Sequence, residues 1–125
     1  MYCAIYLNNS LDKISILNSL KKEFNITNEE SSFITLGSCT IYVSNNSDNN
    51  LEKSKQFPDG FLYFKYIIDI ESEEEIEKDF IIIINKILDF FWKQNIPAIA
   101  SYDHEELLKE RGGYNNRNVP WGINL

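Results

Sequence analysis

The side chain with the clearest capacity for chemistry is the only histidine, His104. It follows Asp103 and precedes two glutamates, a setting that would suit a general base or a metal ligand. A metal site needs several ligands at characteristic spacings, and one histidine does not supply them. No serine or cysteine stands at a spacing from His104 that is typical of nucleophilic catalysis. We therefore expect His104 in the exposed first turn of a helix, and we predict no catalytic residue, no metal site and no enzyme activity.

The two cysteines are the next candidates. Cys3 lies in an apolar opening segment and Cys39 near a predicted turn. A nucleophilic thiolate needs a cationic neighbour or a helix N-terminus, and neither cysteine has one in the sequence. Two distant cysteines form neither a zinc pattern nor a redox pair, so we expect free thiols in a reducing cytosol.

A run of acidic residues is the strongest local signal. Between residues 69 and 79 seven carboxylates stand against one lysine, so about six of the seven net negative charges lie there. Two or three acids in the first turn of a helix stabilise it by about 0.3–1 kcal/mol each, but additional ones repel one another. The run lacks the alternating oxygen ligands and internal glycine of an EF-hand. Two main interpretations stay open, a solvated face and a docking surface for a basic protein.

The candidate partner-binding acids fall into two groups. The first group is Glu71, Glu73, Glu74, Glu75, Glu77 and Asp79, and the second is Asp103, Glu105 and Glu106.

The C-terminal segment RGGYNNRNVPWGINL has neither helical nor strand periodicity. Its tyrosine, arginine and tryptophan are residue types that are enriched at interface hot spots, which makes Tyr114, Arg117 and Trp121 candidates for partner binding. The alternative is a structural clasp, with the rings on the core and Arg111 and Arg117 paired with acids such as Asp103 or Glu106. In both cases we expect an ordered tail.

Composition narrows the class of protein. The 125 residues are 43% hydrophobic with a net charge of −7, which suits one domain, residues 1–125, with a hydrophobic core. Without clustered Lys and Arg, the chain is not expected to bind nucleic acid. No phosphate-binding glycine loop indicates a cofactor. There is neither a leader-like segment nor an apolar run of about 20 residues that could span a membrane. We expect a soluble cytoplasmic protein.

The elements that must position these residues follow from periodicity. Strands are predicted at residues 2–7, 61–70 and 96–102, and a hairpin at residues 31–44 around Gly37. Ser10 is predicted to cap a helix over residues 11–24 whose apolar stripe is Leu11, Ile14, Leu17 and Phe24. Residues 45–56 are predicted to be a solvated loop, and Pro58-Asp59-Gly60 a turn whose glycine tolerates a positive φ.

A capping box of Ser72 and Glu75 predicts the start of a long amphipathic helix that ends near residue 94. Asp103 is predicted to cap a short helix over residues 104–111, which Gly112-Gly113 ends. The order of elements indicates an α+β fold: two main helices packed on one face of a mainly antiparallel sheet, with a short C-terminal helix and the tail.

Three segments resemble small bacterial immunity proteins of toxin–immunity systems, such as contact-dependent growth inhibition. They are FPDGF at 57–61, IPAIA with Tyr102-Asp103 at 96–103, and GGY through RNVPW at 112–121. The resemblance covers roughly the C-terminal two thirds of the chain. It implies a cytoplasmic domain that binds and blocks a cognate toxin and has no activity of its own.

The acidity of the chain agrees with that implication, because many toxin domains that attack nucleic acid are basic. We expect occlusion of a basic toxin, with a nuclease as one candidate class. The alternative class is a small regulatory or ligand-binding domain with an aromatic pocket formed by Tyr63, Phe64, Tyr66 and Trp92.

Overall fold

The computed structural model describes residues 1–27 and 32–121. This part of the chain forms five strands in one antiparallel sheet, three α-helices and short 3₁₀ helices. The predicted α+β class and the mainly antiparallel sheet are confirmed. None of the helices in this part is long and apolar enough to cross a membrane.

The sheet has the spatial order β2-β3-β4-β1-β5, and every neighbouring pair is antiparallel. Its strands are β1 (Tyr2–Leu7), β2 (Phe33–Leu36), β3 (Cys39–Asn45), β4 (Tyr66–Ser72) and β5 (Ala98–Ser101). The helices are α1 (Lys13–Glu23), α2 (Leu51–Ser54) and α3 (Glu77–Trp92), with 3₁₀ helices at Asp59–Tyr63, Glu105–Leu107 and Lys109–Gly113.

The main hydrophobic core uses one side-chain parity of each strand. In β1 the buried residues Cys3, Ile5 and Leu7 alternate with outward-facing positions, as expected for a strand that is covered on one face. Ile5 lies opposite Ile68 of β4 and Ala100 of β5, so the same face continues across the sheet. The buried residues of α1 and α3 belong to this cluster.

Helix α1 starts later than its sequence pattern predicts. Asp12, rather than Ser10, is the N-cap, and its carboxylate accepts a hydrogen bond of 2.8 Å from the backbone N–H of Ser15. Ile14 is 62% exposed, whereas Ile16, Leu17 and Leu20 are buried. The predicted stripe was therefore partly wrong, because Leu11 precedes the helix and is itself exposed.

Helix α3 likewise lacks the predicted capping box. Ser72 is the last residue of β4, Ile76 is the N-cap, and no side chain caps the helix. The Ser72 hydroxyl instead lies 3.0 Å from the Ser38 hydroxyl and accepts from the backbone N–H of Glu74. The apolar face of the helix is as predicted at its centre, where Phe80, Ile84, Ile87, Leu88 and Phe91 are buried.

The segment between β3 and β4 differs most from prediction. The expected loop contains α2, and the first part of the expected strand is the 3₁₀ helix Asp59–Tyr63, which leaves Leu62 exposed. Gly60 does not have a positive φ. A Cβ atom there would lie 2.7 Å from the carbonyl oxygen of Lys53, so the glycine permits close backbone approach.

The hairpin of β2 and β3 is confirmed, with Gly37 at a φ of +60°, but Ser31 of the predicted range lies outside the described residues. Cys39 is buried in β3 rather than placed in the turn. Two 3₁₀ helices replace the predicted helix over 104–111, because Glu110 and Arg111 have positive φ values that an α-helix does not allow. Gly112 lies close against β5, where a Cβ atom would be 3.0 Å from the Ala100 carbonyl oxygen.

Candidate functional site

The acidic run spans the end of one element and the start of the next. Glu71 lies near the end of β4, Glu73, Glu74 and Glu75 lie in the connection to α3, and Glu77 and Asp79 lie in the first turn of that helix. Only the last two are placed to interact with the helix dipole. Apart from the half-buried Glu77, these side chains are exposed.

Three of these acids border a groove of about 800 Å³ on the surface. Glu71, Glu73 and Glu74 line it together with Tyr2 of β1 and Tyr42 of β3. The groove therefore combines carboxylates with aromatic rings, a combination that suits a cationic side chain better than an anion.

Most carboxylates of the run form no ion pair within the described part of the chain. Within residues 1–27 and 32–121, ion pairs join Lys55 to Glu52, His104 to Glu77, Lys109 to Asp89, and Arg111 to Glu105. Across that part of the chain, Glu71, Glu73, Glu74 and Glu75 form no ion pair. The N-terminal ammonium of Met1 lies at this groove, where it donates a hydrogen bond of 2.8 Å to the Ser72 carbonyl oxygen, and it offsets part of their mutual repulsion.

Glu77 is the exception, because it ties the start of α3 to the segment after β5. Its carboxylate accepts a hydrogen bond of 2.5 Å from the Tyr102 hydroxyl and lies 2.6 Å from His104 Nδ1. Both hydrogen bonds lower the pKa of Glu77 below its usual value, and the bond from Tyr102 has the larger effect. The same contact with Glu77 raises the pKa of His104.

This cluster adjoins the acidic groove. A second cavity of about 370 Å³ is lined by Glu77, Tyr102, Asp103 and His104, and it shares Met1 and Tyr2 with the groove. The structure thus brings Asp103 of the second acidic group beside the first. Glu105 instead faces Arg111 at 3.9 Å, and Glu106 is exposed in the same 3₁₀ helix, Glu105–Leu107.

No protein-family model, curated protein or solved structure matches this chain. What the molecule does must therefore be argued from the chemistry of its own surface.

The next feature concerns the metal-ligating and thiol side chains. The described residues contain no group of three or more His, Cys, Asp or Glu side chains that could hold a metal ion. Burial raises the pKa of Cys3 to about 12 and also raises that of Cys39, so both thiols stay protonated at neutral pH.

The tail residues lie in a different place from the acids. Trp121 packs edge-on to Phe57 at 5.1 Å and against Phe64 at 5.4 Å, measured between ring centroids. The Arg117 guanidinium lies 4.0 Å from the Phe57 ring centroid, so the predicted pairing of Arg117 with Asp103 or Glu106 was wrong. Arg111 pairs with Glu105 instead.

Tyr114 and Val119 complete this contact. The Tyr114 hydroxyl donates a hydrogen bond of 2.8 Å to Asp59, and Val119 is buried in a second hydrophobic cluster with Phe61, Phe64 and Ile99. The described tail thus acts as a clasp on the fold, while residues 122–125 lie outside the described range.

The rings of the alternative aromatic pocket are used in packing. Phe64 and Tyr66 are 0% and 3% exposed and belong to different hydrophobic clusters. Trp92 donates its indole N–H to the Ala98 carbonyl, and Tyr63 lies beneath the Lys53 ammonium. Phe64 and Tyr66 are therefore buried in the core, whereas Tyr63 and Trp92 are partly exposed.

Tyr2, Tyr42 and Tyr102 belong to the site but were not predicted from the sequence. Their positions carried a signal, since alternation along β1 and β3 places Tyr2 and Tyr42 opposite the buried parity. What the sequence does not reveal is that β4 lies between those two strands and brings the tyrosines to one groove.

Proposed function

We propose that this chain is an immunity-type inhibitor that binds a basic toxin and blocks it by occlusion. The observation that carries the proposal is a set of four exposed carboxylates that form no ion pair in the described chain, Glu71, Glu73, Glu74 and Glu75, of which the first three line a surface groove. Repulsion among these carboxylates does not stabilise the isolated protein. When a cationic partner binds, the electrostatic energy of the same carboxylates becomes favourable. The resemblance to immunity proteins supplies the identity of that partner.

In this proposal each part of the fold has a separate task. The two longer helices cover one face of the sheet, and the tail clasps part of the other face. The remaining part of that face and the acidic edge receive the toxin in the cytoplasm. A nuclease is the toxin class that fits best, because an enzyme that binds phosphates presents Lys and Arg at its active site.

Charge complementarity of this kind accelerates association, and the effect falls with ionic strength. Exposed charges are screened beyond about 8 Å at physiological salt. The proposal therefore predicts an association rate for the toxin that decreases as salt is added, with a smaller change in the dissociation rate.

The test has two steps: the genes beside this one are searched for a toxin domain, and that domain is then used in a protection assay. The absence of any toxin domain beside this gene would count against the proposal. Cells express that domain together with wild-type protein or with a Glu73→Lys/Glu74→Lys/Glu75→Lys variant. The control is Glu23→Lys/Glu52→Lys/Glu110→Lys, which changes the net charge equally at exposed sites on other elements. We expect growth with wild type and control and growth arrest with the first variant. Equal protection by both variants would remove the acidic edge from the mechanism.

A further inference from the structure

The outer face of the sheet is covered at one end and open at the other. At the covered end Tyr6 packs edge-on to Phe61, with ring centroids 5.3 Å apart, and Val119 of the tail joins the same cluster. At the open end Tyr2 is 52% exposed and Tyr42 is 40% exposed. The packing of the fold buries neither ring, so both are available for contact with a partner.

Strand register places carboxylates between these rings. β4 lies between β1 and β3, with Glu71 opposite Tyr2 and Asp69 opposite Tyr42. The Tyr2 hydroxyl donates to Asp69, which fixes that carboxylate on the open face. Phe33 packs against Tyr42 at 5.9 Å from the other side and holds the ring in place.

We propose that this open face, formed by Tyr2, Tyr42, Asp69 and Glu71, is the anchor site for an arginine side chain of the protein partner. The inference rests on the proposed function, since it names the group that the partner inserts. Neighbouring strands are about 4.8 Å apart, so β1 and β3 are separated by about 10 Å. A guanidinium that pairs with Glu71 on β4 would lie between the strands that carry the two rings, and cations are attracted within roughly 6 Å of a ring centroid.

The guanidinium fits this site better than other groups. Its planar fork accepts stacking on a ring face while it donates to a carboxylate such as Glu71, a combination that the compact lysine ammonium does not offer. An anionic ligand is disfavoured because Glu71, Glu73 and Glu74 line the groove and outnumber the one cation among its described lining residues, the N-terminal ammonium of Met1. The occupant is thus an exposed arginine on a protein surface.

The experiment titrates ¹⁵N-labelled protein with the peptide acetyl-Arg-Gly-Arg-amide at constant ionic strength. The citrulline peptide, which has the same shape without the charge, and the lysine peptide are the matched probes. We expect saturable shifts of Tyr2, Tyr42 and Glu71 with the arginine peptide, weaker shifts with lysine and none with citrulline. Shifts that are equal for citrulline, or stronger for lysine, overturn the assignment.

Variants locate the contact. Tyr42→Leu and Glu71→Gln are each expected to weaken arginine binding about two- to fivefold, whereas Tyr42→Phe keeps the ring face and is expected to bind normally. Tyr114→Leu and Glu52→Gln are controls away from the groove, and the spectrum of each variant reports whether it is folded. Unchanged affinity in folded Tyr42→Leu overturns the inference. If Tyr42→Leu also protects cells fully while the Glu73/Glu74/Glu75 variant does not, the anchor site fails and the proposed function stands.

Discussion

Asn46 should be among the polar residues on which stability depends most, although it lies in a segment whose sequence predicts a solvated loop. Its side chain is buried, with 6% of the residue exposed. The amide Nδ2 donates hydrogen bonds of 2.8 Å to the carbonyl oxygens of both Leu62 and Phe64, and Oδ1 accepts from the backbone N–H of Asp48. One side chain thus joins the end of β3 to the segment that leads into β4.

Replacing Asn46 with alanine removes both donors. The Phe64 carbonyl is buried and would lose its partner, which costs about 1–3 kcal/mol, while the Leu62 carbonyl is more accessible to water and would cost about 1 kcal/mol. The sum is about 2–4 kcal/mol. For a chain of this size that corresponds to a fall in Tm of roughly 8–15 °C.

Urea unfolding of Asn46→Ala, followed by circular dichroism, measures the loss of free energy directly. Asn49→Ala is the matched control, because Asn49 lies in the same segment, four residues after the end of β3, and its side chain is exposed. This substitution should change the free energy of unfolding by less than about 0.5 kcal/mol. Asn46→Asp keeps the acceptor for Asp48 but not the donors, so it should be destabilised as well. A loss below about 1 kcal/mol for Asn46→Ala would show that water replaces the amide and that the reasoning from burial is wrong.

Three further predictions concern other groups. Gly60→Ala should lose about 1–3 kcal/mol in urea unfolding, because the new Cβ would lie 2.7 Å from the Lys53 carbonyl oxygen, and unchanged stability would contradict that close approach. The single histidine should titrate by NMR above its usual pKa of about 6.5, and Glu77→Gln should bring that pKa down. The folded-state pKa of His104 is raised and that of Glu77 is lowered, so the pair stabilises the fold most at pH values between these two pKa values. The destabilisation caused by His104→Ala should therefore shrink as pH rises through the folded pKa of His104. Equal destabilisation at pH 5.5 and pH 9 would exclude the pair as the cause. Both cysteines should react with a thiol reagent only after denaturation, and rapid labelling of native protein at pH 8 would contradict their burial.

Periodic segments were the most predictable part of the fold. The central turns of α3, the hairpin of β2 and β3, and strands β1 and β5 follow directly from spacing and turn residues. The predicted starts of α1 and α3 were wrong, because a side chain caps a helix only if folding brings a backbone N–H donor of that helix within hydrogen-bond reach. Ser72 has the right spacing to Glu75 for a capping box, but β4 extends through Ser72 since its backbone pairs with β3 opposite Cys39.

The candidate site was predictable in charge but not in shape. The acidic run is evident from composition, and Asp103 does come to lie beside it. The tyrosines of the groove depend on strand order, which no local pattern encodes. Arg117 was misassigned because its nearest neighbour is the ring of Phe57, sixty residues away, and pairing rules based on charge alone do not consider a stacked arginine.

The position of β1 inside the sheet has a consequence for biosynthesis. Tyr2–Leu7 pairs with β4 on one side and with β5 on the other, so its partners emerge from the ribosome only after most of the polypeptide has been translated. Non-local pairing of this kind makes folding comparatively slow. A newly made copy therefore cannot pair β1 on both sides until β5 has been synthesised, whereas the strands of the β2–β3 hairpin are adjacent in the sequence and can pair much earlier.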